Sequence, residues 1–182
     1  MSLLPRYLPL VGVNWLAQGG LYVSANIRGG GEFGPSWHQA ALREKRHKAY
    51  EDLEAVAKDL VARGYTTAER LAVHGASNGG LLTGNMLVRS PHLFGAVLIG
   101  VPLLDMKRYH KLLAGASWMA EYGDPDKPEE WEFLESYSPY HKVKREAKYP
   151  PVLLYTSTKD DRVHPGHARK MVAKLREYGH TV

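Results

Sequence analysis

The feature that most constrains this chain is a serine held between glycines, with an apolar strand before it and an apolar helix after it. Residues 71–73 are apolar and β-prone, and the helical pattern that follows has Leu82, Met86 and Leu87 as core candidates. Between them, Gly75-Ala-Ser-Asn-Gly79 fits the G-x-S-x-G nucleophile elbow. In that motif a strained serine presents its hydroxyl above the edge of a sheet.

Two interpretations of Ser77 follow from the same residues. In an elbow the flanking glycines, Gly75 and Gly79, are needed because the turn leaves no room for Cβ atoms on either side. In an ordinary turn, Ser77 only caps the helix that follows it. The strand before the motif and the helix after it favour the elbow.

The composition excludes several classes of protein. A chain of 182 residues with 44% hydrophobic and 24% charged residues is typical of one globular domain. It has no apolar run of about 18 residues and no signal-peptide pattern, so we expect a cytoplasmic protein, with a periplasmic parent still open. Without cysteine there is no disulfide, thiol nucleophile or thiolate metal site.

The chain carries a formal net charge of +5, with basic clusters at residues 43–48 and 142–148. Nucleic acids bind to such clusters when the basic residues form a continuous patch. Here acidic residues are interspersed among the basic ones, and no nucleic-acid-binding motif accompanies them. We therefore interpret both clusters as solvated surface and expect neither a nucleic-acid nor a membrane partner.

The hydrophobic pattern predicts alternating strands and helices. Continuous apolar runs at residues 94–101 and 151–157 are typical of buried parallel strands, and residues 21–27 also have a strand pattern. Residues 48–63 have apolar side chains at helical spacing, and a last helix is expected between Pro165 and Gly179. This alternation predicts an α/β fold with a doubly wound, mainly parallel sheet.

Acidic residues follow a second predicted strand, as Ser77 follows the first. Asp160 and Asp161 come just after residues 151–157, and sites in such sheets form at the carboxyl ends of the strands. A serine needs a base, and the base needs an orienting carboxylate. His164 and His167 lie close to these acids, but their spacing fits no metal motif, so we expect no metal.

A glycine cluster offers a competing function. Gly29, Gly31 and Gly34 formally satisfy the dinucleotide-binding pattern G-x-G-x-x-G after the predicted strand at residues 21–27. Pro35 follows at once, and no second strand ending in an acid occurs about twenty residues later. We therefore expect no dinucleotide and no other cofactor.

Several segments together are similar to one enzyme family over nearly the whole chain. The combination resembles the peptidase domain of the prolyl oligopeptidase family, and the segments that carry the resemblance are Ala25-Asn-Ile-Arg-Gly-Gly-Gly-Glu-Phe-Gly34, Trp37-His38, Gly75-Ala-Ser-Asn-Gly-Gly80, Tyr122-Gly123, Ser138-Pro-Tyr-His141 and Asp160-Asp-Arg-Val163. The resemblance implies an α/β-hydrolase-type sheet and serine-dependent cleavage of short peptides, typically after proline. It also implies a β-propeller elsewhere in the protein that admits only small substrates.

Carried over by residue, the resemblance implies that Ser77 is the nucleophile and Asp160 the acid of the triad. It implies that the backbone N–H of Asn78 is an oxyanion donor. The residues that it implies for substrate binding are Trp118, Tyr122 and Arg162.

Each assignment has an alternative that the sequence leaves open. Trp118 can be a core residue, and Arg162 can be an ion-pair partner of the acids. Asp161, rather than Asp160, can be the working acid.

The chain also departs from the family pattern. It begins after the segment with the tyrosine that is the second oxyanion donor, and His180-Thr-Val182 stands where the final strand should start. The catalytic histidine of the family lies beyond that strand, so we interpret His180 as a surface residue. We thus expect residues 1–182 to be a partial α/β-hydrolase peptidase domain, truncated at both ends and without the propeller.

Two consequences follow if the chain is partial. Loss of the histidine should leave these residues nearly inert on their own. An unpaired sheet edge should promote self-association. A related esterase or acyl-peptide hydrolase, and a non-catalytic binding module on the same scaffold, are the alternative functions.

Overall fold

Strands and helices alternate along the chain, as the hydrophobic pattern predicts. The computed structural model describes residues 8–182. The strands in this part of the chain are β1 (Ala72–Ala76), β2 (Ala96–Gly100) and β3 (Val152–Tyr155). The α-helices are α1 (Pro9–Asn14), α2 (Pro35–Gln39), α3 (His47–Ala62), α4 (Asn78–Arg89), α5 (Met119–Tyr122), α6 (Pro128–Ser136), α7 (Pro139–Lys142) and α8 (Gly166–Glu177). Short 3-10 helices lie at Leu16–Gln18, Arg43–Lys45, Ala68–Arg70, Pro91–Leu93, Tyr109–Lys111 and Leu113–Trp118.

The three strands form a parallel sheet in the order β1-β2-β3. Val73 is in register with Val97, which is in register with Val152. Because side chains alternate along a strand, these valines lie on the same face of the sheet. That face carries the core: Val97 and Ile99 are fully buried, α4 packs on β1 and β2, and α8 packs on β3. The predicted parallel α/β architecture is confirmed.

The long helices lie close to their predicted positions. The helix expected at residues 48–63 is α3, in which Tyr50 and Ala57 are buried while Val61 stays exposed. The helix expected between Pro165 and Gly179 is α8, whose Met171 and Leu175 are fully buried. The ends of both helices could be predicted because a glycine, Gly64 or Gly179, follows each of them. The start of α8 could be predicted because proline favours a helix start.

The prediction of a strand at residues 21–27 is wrong. These residues are within the described part of the chain and have no regular secondary structure. Leu21, Tyr22 and Val23 are exposed. A strand needs a neighbour for its backbone N–H and C=O groups, and none of the described strands pairs with this segment. The sequence pattern shows β-propensity but cannot show whether a partner strand is present.

The opposite face of the sheet is open. Leu153 and Tyr155 are large exposed apolar residues there, and the Tyr155 hydroxyl lies 2.8 Å from Nε2 of His74. In the described part of the chain, β1 and β3 are the edge strands. On the core face, a groove of about 360 Å³ lies beside the contact between β3 and α8, with Leu154 and Val172 among its lining residues. Self-association through an edge stays a prediction. No helix among the described residues is long and apolar enough to cross a membrane.

The close approach of α4 to the sheet depends on two glycines. A Cβ atom on Gly75 would lie 2.3 Å from the backbone oxygen of Gly79. A Cβ atom on Gly80 would lie 2.7 Å from Cβ of Pro102 and 2.8 Å from the carbonyl oxygen of Gly100. By contrast, a Cβ atom on Gly79 would meet nothing within 4 Å. The expectation that the turn leaves no room for a Cβ atom at Gly79 is therefore wrong. The two positions without room for a Cβ atom are Gly75 and Gly80.

We predict that Gly80→Ala lowers the free energy of unfolding by about 1–3 kcal/mol, because the new methyl group forces the helix away from β2. The matched control is Gly79→Ala, one residue earlier in the same helix, which should raise stability by about 0.5 kcal/mol because alanine loses less backbone entropy. Thermal unfolding followed by circular dichroism measures both. Equal melting temperatures for the two variants would contradict the packing argument.

Candidate active site

Ser77 has the strained backbone that the elbow requires. Its φ of 58° and ψ of −116° lie outside the regions that residues other than glycine usually occupy. Its N–H donates to the carbonyl oxygen of Gly100 at 3.0 Å, and its carbonyl oxygen accepts from the N–H of Leu81 at 3.1 Å. Ser77 stands at the N-cap position of α4 but makes no side-chain cap hydrogen bond. The interpretation of Ser77 as a helix cap is therefore wrong.

The ends of the three strands lie level with one another. Ala76 is in register with Gly100, and Gly100 with Tyr155. Ser77 and the loop after β3 therefore both lie beyond the carboxyl ends of the strands. Two strand spacings separate β1 from β3, a distance of about 10 Å. At this distance, one side chain fits between Ser77 and an acid that follows β3. In serine hydrolases that side chain is a histidine.

The structure distinguishes between the two adjacent acids. Asp160 is half-buried, and its Oδ1 accepts hydrogen bonds from the N–H of Arg162 at 3.0 Å and of Val163 at 2.8 Å. Its Oδ2 has no hydrogen bond to any described residue. Asp161 is exposed. The loop thus orients Asp160 through one oxygen and leaves the other available, which favours Asp160 over Asp161 as the working acid.

Arg162 and Trp118 lie next to each other. The guanidinium carbon of Arg162 is 6.0 Å from the centroid of the Trp118 ring, and the N–H of Ala114 donates to the carbonyl oxygen of Arg162 at 3.3 Å. Among the described residues, Arg162 forms no ion pair with Asp160 or Asp161. Trp118 is only half-buried against the core. Both side chains are therefore accessible for a ligand.

Tyr122 contacts the residue that follows the serine. Its hydroxyl donates to Oδ1 of Asn78 at 2.8 Å. Burial raises the pKa of Tyr122 to about 12, so the hydroxyl keeps its proton and remains a donor at neutral pH. As the first residue of α4, Asn78 has a peptide N–H without an intrahelical partner. Tyr122 thus fixes the side chain of the residue whose N–H is the expected oxyanion donor.

Three histidines, His164, His167 and His180, contact residues other than Ser77 and Asp160. Nδ1 of His167 accepts from the N–H groups of Leu104 and Asp105, and burial lowers the pKa of His167 to about 4. Nδ1 of His164 accepts from the N–H of Gly166 at 2.9 Å. Nε2 of His180 lies 2.8 Å from the carbonyl oxygen of Lys144. None of these contacts of the three histidines involves Ser77 or Asp160.

Ligand atoms suited to a metal ion come together elsewhere in the described residues. His110, Asp124 and Asp126 place these atoms within 4.8 Å of one another. The ammonium group of Lys111 already lies 2.9 Å from Oδ2 of Asp126. Lys111 thus supplies positive charge to this group of side chains.

Sequence reasoning missed one residue near the candidate site. Arg46 belongs to the basic cluster at residues 43–48, which was interpreted as solvated surface, yet only 3% of it is exposed. It forms an ion pair with Glu121, and its guanidinium carbon lies 4.8 Å from the centroid of the Tyr122 ring. The sequence carries no signal for this burial, because the partners lie about 75 residues away.

The comparisons with known proteins agree with this geometry. Residues 11–182 match the model of the prolyl oligopeptidase family. An uncharacterized peptidase of Sinorhizobium fredii is 53% identical over 175 residues, which are 96% of this chain and 24% of the relative. The prolyl endopeptidase of Elizabethkingia miricola is 42% identical over 176 residues, or 96% of this chain and 25% of that protein.

A solved structure gives the same result for the fold. The structure of a post-proline cleaving enzyme from Rickettsia typhi is 41% identical with a TM-score of 0.97, and the match covers 100% of this chain and 26% of that one. The α/β-hydrolase-type fold is thus confirmed. The chain spans about a quarter of the length of the curated relatives that it matches.

We predict that Asp160→Ala loosens the loop after β3, because the N–H groups of Arg162 and Val163 lose their acceptor, at about 1 kcal/mol for each hydrogen bond. Hydrogen exchange of these two amides should become about tenfold faster. Asp160→Asn, which keeps the Oδ1 acceptor, and Asp161→Ala should leave both exchange rates unchanged. Faster exchange in Asp161→Ala alone would show that the wrong acid has been assigned to the loop.

Proposed function

This chain belongs to the prolyl oligopeptidase family, and on that premise we propose that its protein is a serine-type peptidase that hydrolyses short peptides after proline. The observation that carries the proposal is Ser77, whose strained backbone is fixed by two hydrogen bonds while its hydroxyl makes no cap bond. The names of the relatives support peptide cleavage after proline: one is a prolyl endopeptidase and another a post-proline cleaving enzyme.

The proposed reaction forms an acyl-enzyme. Oγ of Ser77 attacks the carbonyl carbon of the proline residue while its proton passes to a base. The carbonyl oxygen becomes an oxyanion, which the peptide N–H of Asn78 stabilises. The C–N bond then breaks, and the amine leaves with the proton from the base. Water repeats these steps and releases the peptide acid from Ser77.

The base is proposed to be a histidine oriented by Asp160. Neither His164, His167 nor His180 has contacts suited to this role. We propose that the histidine lies beyond Val182 in the full-length protein, so that residues 1–182 are a partial peptidase domain. The free Oδ2 of Asp160 is the atom that would accept its N–H.

The substrate side of the proposal rests on three residues. Trp118 offers a flat, half-buried aromatic face on which a proline ring can stack, and Arg162 beside it can donate to a substrate carbonyl. Tyr122 is buried, with 3% of it exposed, and contributes through its hydrogen bond to Asn78. A short peptide is the proposed partner, with no cofactor and no nucleic acid.

We predict that Ser77→Ala in the full-length protein abolishes cleavage of a benzyloxycarbonyl-Gly-Pro p-nitroanilide substrate. Asp160→Asn should lower kcat about 10⁴-fold, because the histidine loses its orienting charge. Asp161→Asn is the matched control and should change kcat less than threefold. Steady-state kinetics of the three variants test the assignment. Full activity in Asp160→Asn would transfer the acid role to another residue.

We also predict that residues 1–182 alone react about 10⁶-fold more slowly than the full-length protein, because loss of the base alone costs nearly as much as loss of the whole triad. Labelling with a fluorophosphonate probe measures this directly at the serine. Rapid stoichiometric labelling of Ser77 in the isolated chain would show that its base lies within these residues.

The same elbow serves esters as well as amides, so a related esterase or acyl-peptide hydrolase is the second candidate. The ratio of kcat/KM for a p-nitrophenyl ester to that for the Gly-Pro anilide separates the two. A non-catalytic binding module on this scaffold is the third. It requires that the parent keep its biological effect when Ser77 is replaced by alanine.

A further inference from the structure

Arg46 is a buried cation next to the candidate site, and the proposed reaction does not use it. Its guanidinium forms an ion pair with Glu121 and lies 4.8 Å from the centroid of the Tyr122 ring. An unpaired buried charge is costly, and these two contacts offset part of the desolvation cost of Arg46, whose Nε has no hydrogen-bond partner among the described residues. A planar guanidinium can stack on a ring and pair with a carboxylate at the same time, which an ammonium group cannot do as well.

Tyr122 is held from several sides. Arg46 covers one face of its ring, Tyr109 meets it edge-on with ring centroids 5.6 Å apart, and the Tyr137 hydroxyl donates to its carbonyl oxygen at 3.1 Å. The ring cannot shift without losing its contacts with Arg46 and Tyr109, and the bond from Tyr137 holds the backbone beneath it. Its hydroxyl is therefore a fixed donor for Oδ1 of Asn78, at 2.8 Å.

The glycine cluster belongs to the same network. Nδ1 of His38 lies 2.7 Å from the carbonyl oxygen of Gly29, and its Nε2 lies 3.3 Å from Oε2 of Glu121. Glu121 thus contacts His38 with one oxygen and Arg46 with the other. The contacts run without a break from the glycine-rich loop through Glu121, Arg46 and Tyr122 to Asn78.

We propose that Arg46 is a positioning residue for the oxyanion donor: by holding Tyr122 it fixes Asn78, and with it the direction of the Asn78 peptide N–H. This inference rests on the proposed function. The N–H of Asn78 has no helical partner to orient it, and Ser77 before it has a strained backbone. The other end of this peptide group, the carbonyl oxygen of Ser77, accepts from the N–H of Leu81 at 3.1 Å. The Asn78 side chain, bonded to Tyr122, adds a second constraint on the orientation of the same planar group.

The chain contains a matched control for Arg46. Arg43, on the turn that immediately precedes Arg46, also pairs with a glutamate, Glu130, at 2.6 Å. Its guanidinium carbon also faces an aromatic ring, that of Phe133, at 5.9 Å. Among the described residues, neither Glu130 nor Phe133 forms a hydrogen bond, ion pair or ring contact with Tyr122 or Asn78. Loss of Arg43 therefore removes the same kinds of interaction without affecting the oxyanion donor.

The test compares Arg46→Met with Arg43→Met in the full-length protein, using the Gly-Pro anilide substrate. An oxyanion donor acts in the transition state, so Arg46→Met should lower kcat and kcat/KM equally, by about tenfold, with KM unchanged. Arg43→Met should leave kcat within about twofold. Equal losses in the two variants, or a rise in KM without a fall in kcat, would overturn the proposal.

A double-mutant cycle with Tyr122→Phe separates positioning from general destabilisation. Tyr122→Phe removes the hydroxyl and should itself lower kcat about tenfold. If Arg46 acts through Tyr122, Arg46→Met should cause less than a twofold further loss in the Tyr122→Phe background. Multiplicative losses would mean that Arg46 acts independently of Tyr122, which contradicts the inference.

Two further measurements keep the outcome decisive. Should Arg46→Met fail to fold, Arg46→Lys keeps the charge for Glu121 but loses the planar stacking, and a loss of kcat of three- to tenfold is expected. Unchanged kcat in Arg46→Lys would overturn the proposal.

The unsubstituted protein is the control for the proposed function. If it neither cleaves the substrate nor is labelled at Ser77, the proposed function fails. If its activity is normal and substitution of Arg46 has no effect, only this inference is overturned.

Discussion

The close contact between α4 and the carboxyl ends of β1 and β2 is the constraint on which the rest of the site depends. Ser77 donates its N–H to Gly100 on the neighbouring strand, and Gly80 lies so close to Pro102 that no side chain fits between them. This contact forces the turn into a conformation that costs a serine of order 1–3 kcal/mol. The packing of α4, with Leu81, Met86 and Leu87 fully buried, offsets that cost and holds the hydroxyl at the sheet edge.

Around this turn, the residues of the proposed site come from segments that are far apart in the chain. The loop after β3 supplies Asp160 and Arg162, and the segment at residues 113–122 supplies Trp118 and Tyr122. The hydrogen bond from the N–H of Ala114 to the carbonyl oxygen of Arg162 joins these two segments, and the Tyr122 hydroxyl joins the second segment to α4. Buried groups of a polar network are costly when they are unpaired, and Glu121 pairs with Nη2 of Arg46, the most buried charge of this network, while Nε of Arg46 has no hydrogen-bond partner among the described residues.

Sequence reasoning succeeded where the signal is local. The elbow, the ends of α3 and α8 and the apolar strands β2 and β3 follow from residues that are neighbours in the chain. It failed where a distant partner decides the outcome. Residues 21–27 have β-propensity but no neighbouring strand in the described part of the chain. Position 80 requires glycine because Pro102 lies next to it in the folded chain, which the sequence does not show.

By itself, the sequence determined which residue types are available and in what order: a serine in a glycine-lined turn, an acid after a later strand, and a set of motifs typical of one peptidase family. Only the tertiary structure decided which of two adjacent aspartates is held by its loop, and that a basic cluster contains a buried arginine. The physical reason is that hydrogen-bond geometry and burial depend on groups many residues away. A pattern of neighbouring residues contains no information about those distances.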